Sequence, residues 1–139
     1  MFVTKKNEKM KNIFLLVLIG LVITSCTKEE GEGGSGTIKG FVYEYKINAF
    51  SLDTTARYAA ADQDVYIIYG DDHTFYDDNI KTSYDGSFKF SYLQKGKYIV
   101  FVYEDCATCL SGKKEILRTI EITKKNQVVD LDTIDIRKI

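Results

Sequence analysis

Short runs from Thr37 onward alternate between large apolar and polar positions: "TIKGFVYEY", "DVYIIYG", "NIKTS", "SFKFS", "KYIVFVYE", "ILRTIEI" and "VVDLDTIDI". A period of two in β-branched and aromatic residues predicts seven short strands. No segment sustains a 3.6-residue apolar period, so no helix is expected there. Turn residues punctuate the runs. Asp85-Gly86 within "YDGS" is a strong hairpin signal, and it predicts that an aromatic strand pairs with its neighbour across that turn. Gly96 in "QKGK" and Asn126 in "TKKNQ" mark two further turns. The expected fold is an all-β, seven-stranded antiparallel sandwich over 37–139.

The stretch before Thr37 is patterned differently. Lys5, Lys6, Lys9 and Lys11 precede an uncharged apolar run, Ile13 to Ile23. That run is about 11 residues, or roughly 17 Å as a helix, against the roughly 20 residues a bilayer span needs. Its length and basic flank read as a secretory signal. Ile23-Thr24-Ser25-Cys26 closes it and resembles the bacterial lipobox. The resemblance implies a diacylglyceryl group on the Cys26 thiol, cleavage before Cys26 and acylation of the new amine. Residues 1–25 would be the signal peptide and 26–36 a lipid-anchored flexible linker. Each buried lipid CH₂ contributes about 0.8 kcal/mol, so two or three chains hold a protein in a membrane without a spanning helix. Thr27-Lys28-Glu29-Glu30 resembles the surface-export signal of one large group of Gram-negative bacteria. It implies an outer-membrane lipoprotein facing the exterior. "GEGGSG" at 31–36 reads as a tether reaching on the order of 14 Å.

Composition changes this picture little. The 139 residues are 45% hydrophobic and 28% charged, a globular profile that allows one compact domain. Net charge is −1, and losing residues 1–25, with four Lys and one Glu, makes it −4. Such a chain has no field that would draw nucleic acid.

The stretch "TSYDGSFKFSYLQKGKYIVFVYED" adds a second resemblance. An Asp-Gly turn, an aromatic strand (Phe88, Phe90), Leu93, then Gly96-Lys97-Tyr98 is similar to the carboxypeptidase regulatory-like domain. That family belongs with the transthyretin-like, prealbumin-type sandwiches, and the likeness covers roughly 37–136. It implies such a sandwich, closed by "VVDLDTIDI". Asp62-Gln63-Asp64-Val65 stands where the family has Gly-x-Pro before the second strand, and the loop 46–61 is long.

The chemical inventory is thin. His73 is the sole histidine, which excludes a multi-His metal site and the iron sites of the sandwich dioxygenases. Asp71, Asp72, Asp77 and Asp78 could offer oxygens to Ca²⁺, but without EF-hand spacing they read as a solvated acidic loop. Cys106-Ala107-Thr108-Cys109 leaves three readings open. A short disulfide suits an exported protein, two free thiols are the second, and a redox or metal role is the third. No cofactor and no metal are expected.

Alternation along two strands raises one sharper expectation. If Tyr98, Val100 and Val102 face inward, then Ile99, Phe101 and Tyr103 face outward, and Tyr66 and Ile68 oppose Val65 and Ile67 in the same way. Those five would form one outer face, either a platform for sugar rings or a partner protein, or a surface covered by 46–61. The reading is a non-enzymatic binding or assembly module. The runner-up is an exported hydrolase-type enzyme with an unrecognised carboxylate site.

Overall fold

The computed structural model describes residues 29–47, 54–71 and 74–139. These residues are all-β and contain no helix. Eight strands run in chain order: β1 (Glu32–Ile47), β2 (Thr54–Ala59), β3 (Asp64–Tyr69), β4 (Asp78–Lys81), β5 (Ser87–Leu93), β6 (Gly96–Asp105), β7 (Lys113–Ile122) and β8 (Val128–Lys138). The sandwich is present with one strand more than the pattern predicts. The extra strand, β2, lies inside the long 46–61 segment, where "TTARYA" carries too few large apolar residues to announce itself.

In sheet A, β1 is central. It pairs antiparallel with β5 along its first half, with β2 along its second half, and parallel with β8 on its other edge. The β1–β8 pairing corrects the wholly antiparallel expectation. Sheet B is antiparallel in the order β4-β3-β6-β7. Ile38, Val42, Phe88, Phe90, Ile134 and Ile136 from sheet A meet Val65, Ile67, Tyr98, Val100, Val102 and Ile122 from sheet B in one core. Each side chain of this kind contributes about 1.5–3 kcal/mol when fully buried.

Three turns join the two sheets rather than paired strands. Asp85-Gly86 joins β4 of sheet B to β5 of sheet A, so it is a corner between sheets and sets no register between paired strands. Its chemistry is as expected. Gly86 has φ +80°, and a Cβ there would meet the Val42 carbonyl oxygen at 2.4 Å. The Asp85 carboxylate accepts from the Ser87 N–H and hydroxyl, which holds its pKa below the usual range. The turns at Gly96 and Asn126 are likewise corners, β5 to β6 and β7 to β8. Buried Thr82 links two more crossings: it donates to the Ala60 carbonyl and accepts from the Gln63 N–H.

The expected tether is also different. "EGGSG" is the start of β1, and its glycines answer to close approach rather than to flexibility. A Cβ on Gly34 would lie 2.0 Å from the Leu93 carbonyl oxygen. Gly31 donates to the Tyr98 hydroxyl at 3.1 Å, and its carbonyl accepts from the Gln94 N–H at 2.7 Å. Folded structure therefore begins about five residues earlier than the alternating pattern suggests, and the boundary at 37 moves to the start of β1.

Candidate binding surface

The outer face of sheet B follows from register. Tyr66 stands opposite Phe101 and Ile68 opposite Ile99 on antiparallel neighbours, so all four share one face, with Tyr103 two residues further along β6. The expected five residues are thus brought together. Their exposure is graded. Ile99 is 1% exposed, Ile68 5% and Phe101 6%, a small second cluster behind Tyr66. Tyr103 keeps 38% of its surface.

Tyr66 is the hub of four rings. It stacks on Phe101, with centroids 5.0 Å apart and planes at 16°. It meets Tyr103 edge-on at 5.6 Å, and Phe101 meets Tyr103 at 5.5 Å and 85°. Tyr76 closes the group at 4.8 Å from Tyr66 while remaining half exposed. Stacked and edge-to-face pairs at these distances add about 0.5–1.5 kcal/mol each beyond burial. Tyr76 was not anticipated from sequence. The signal was there: "TFY" places two aromatic rings in an otherwise acidic loop.

Polar groups border the rings on one side. Asp64 precedes Tyr66 by two residues, and Asn79 and Lys81 lie opposite Tyr66 and Asp64 on β4, so all share the outer face. The Asn79 amide reaches the Asp64 carboxylate at 3.5 Å, and the Lys81 ammonium lies 3.7 Å from it and 3.3 Å from that of Asp62. The Asp62 carboxylate raises the Lys81 pKa, with Asp64 adding to it. Burial, then the Asp64 charge, raises the Tyr66 pKa, so its hydroxyl is neutral and can both donate and accept at physiological pH. The surface therefore offers a ring floor, two half-exposed phenols and a carboxylate–amide–ammonium edge.

The other candidates fall elsewhere. Cys106 and Cys109 form a disulfide within the loop joining β6 to β7. The Cys106 N–H donates to the Gly112 carbonyl at 2.9 Å, and Cys106 itself is buried. The described carboxylates of the acidic loop have separate partners: Asp71 pairs with Lys97 at 2.8 Å, and Asp77 accepts from the Tyr69 N–H at 2.7 Å. Among the described residues no group of three His, Cys, Asp or Glu side chains could hold a metal. Cys26, Asp72 and His73 lie outside the described residues, as do Phe50 and Leu52 of the expected cover. The part of 46–61 that is described, β2 and its flanks, belongs to the edge of sheet A.

No family model and no curated protein matches the sequence. Among solved structures, one similar chain is a protein of Pseudomonas aeruginosa provisionally described as carbohydrate-binding. The likeness has a TM-score of 0.46 at 13% identity and covers 78% of this chain and 91% of that one.

Proposed function

We propose that this chain is a non-catalytic binding module, anchored by lipid at Cys26 in the outer membrane and facing outward, that takes carbohydrate on the outer face of sheet B. The observation that carries the binding reading is the Tyr66–Tyr76–Phe101–Tyr103 ring cluster beside Asp64, Asn79 and Lys81. Sugar rings have an apolar face of axial C–H groups and an equatorial edge of hydroxyls. Aromatic rings desolvate the first, and an adjoining carboxylate, amide and ammonium can hydrogen-bond the second. Such a surface binds without needing a nucleophile, a general base or a metal.

The anchor reading rests on the lipobox-like Ile23–Cys26 sequence and its basic and apolar approach. The outward direction rests on Lys28-Glu29-Glu30. A panel of soluble β-glucans, mannans and xylans, titrated by calorimetry, tests the binding reading. At least one should bind, and Tyr76→Ala with Tyr103→Ala should weaken it tenfold or more, while Tyr84→Ala, at an exposed position in the β4–β5 turn, leaves it unchanged. Binding insensitive to Tyr76 and Tyr103, or absent across the panel, would sink the assignment.

A further inference from the structure

The sandwich has two ends. At one, β1 begins and β3 stops, and the β5–β6 and β7–β8 corners turn. At the other lie the end of β1, the disulfide loop and the C-terminus, where the Ile139 N–H donates to the Asp105 carboxylate at 2.9 Å. Gly31 is fixed to the first end by Tyr98 and Gln94. The carboxylate of Glu30 accepts from the Lys97 N–H at 3.5 Å, so the chain is already held one residue before Gly31. The segment between Cys26 and the first strand is therefore Thr27–Gly31, which spans at most about 17 Å even fully extended. Five of the six residues that the pattern suggested as a tether, 32–36, are built into sheet A.

The same end carries a depression of about 510 Å³ lined by Gly33–Gly36, Leu93 and Gln94 together with Lys95, Lys124 and Lys125. All three lysines are exposed, and no acidic side chain lines it. Tyr92, 74% exposed, stands at the end of β5 beside it, and Phe75, 81% exposed, lies on the connection that leaves β3 at this end. Lysines with exposed aromatic rings suit a headgroup layer, where phosphates meet ammonium groups and rings sit at the polar–apolar boundary. Glu29 and Glu32, also exposed, flank the incoming chain, so the attraction is local to the depression and the short connection carries most of the constraint.

The geometry points to a seated domain: the Gly31 end lies directly against the lipid phosphates, with Lys95, Lys124 and Lys125 toward them and the disulfide loop pointing away. This rests on acylation of Cys26. The test uses the full acylated chain in vesicles of phosphatidylethanolamine and phosphatidylglycerol, with lysine acetylation read by peptide mass spectrometry. The reference is the same chain with about twenty Gly/Ser residues inserted between Lys28 and Glu29, which adds about 25 Å of reach. Lys95, Lys124 and Lys125 should label about fivefold or more slowly in the native chain, in line with the local preference of a lysine for an anionic surface. Lys113 and Lys114, at the far end of β7, should label equally in both. Equal labelling of all five lysines on a chain whose Cys26 peptide carries acyl mass overturns the seat alone. A Cys26 peptide without acyl mass overturns the anchor reading and the seat together.

Discussion

The two faces of sheet B are built from the same strands and obey different rules. Its inner face is mostly aliphatic and sealed: Val65, Ile67, Val100 and Val102 are fully buried between the sheets. Its outer face runs from Ile99 at 1% exposed to Tyr76 at 52%, and becomes more aromatic and more hydroxylated as it opens. A strand buried on both faces would ordinarily read as a central strand between two layers. Here β6 has that burial, yet its outer side grades into solvent through three tyrosines. The inner face is sealed and aliphatic, the outer face is graded and aromatic, and the residue types divide accordingly.

A matched pair of truncations tests the division most directly. Ile67→Ala removes inner volume that cannot collapse between two sheets. It should cost near the upper end of about 2–5 kcal/mol in chemical denaturation. Ile99→Ala deletes the same atoms on the outer face, where the surrounding rings can shift, and should fall near the lower end of that range. Equal losses would mean that the outer cluster is core of the same kind. A loss at Ile99 below about 0.5 kcal/mol would mean that it is ordinary surface.

The disulfide is expected to matter less. The Cys106→Ser, Cys109→Ser double variant should retain the fold and lose less than about 2 kcal/mol, because the bond closes a loop of only a few residues. Ligand binding on the outer face should be untouched. A zinc equivalent held by the wild type and lost in the variant would contradict this.

Tyr103→Ser should be smaller still. Losing a partly exposed ring at the rim is expected to cost less than about 1 kcal/mol while reducing sugar affinity. A larger thermal shift would move Tyr103 from the binding rim into the structural cluster.

Alkaline titration gives the finest separation. Burial first, then Asp78 and Glu32, pushes the Tyr69 hydroxyl up to about 12 from its usual 10. Its folded pKa is raised, so the associated stability is intact below pH 10 and is lost as pH climbs from 10 toward 12. Phenolate absorbance should show a late-ionising component that Tyr69→Phe removes. An unchanged curve in that variant would assign the late component to another tyrosine.

Much of this architecture was legible, and the failures have causes. Alternation in "KYIVFVYE" assigned the two faces of β6 correctly, because the period of a pleat is a local property. Asp85-Gly86 announced a tight reversal and was correctly placed. It could not announce which sheet received the chain, because turn chemistry specifies φ and ψ and not the strand's partner. Gly34 and Gly36 read as flexible from composition, because composition cannot distinguish a glycine that is free from one crowded by a neighbouring backbone. The ring cluster was legible as far as Tyr66, Phe101 and Tyr103. Tyr76 joins it through a loop whose path no periodicity encodes, and the burial of Ile99 depends on packing beyond its own strand.

The pairing of β1 with β8 reaches into how the molecule is made. Thr37 lies beside Val128 and Lys46 beside Lys138, so the central strand of sheet A lacks one edge partner until β8, some ninety residues further along the chain, is available. Contacts this distant in sequence close late, after a large loss of chain entropy. A growing chain therefore has no complete sandwich to fall into.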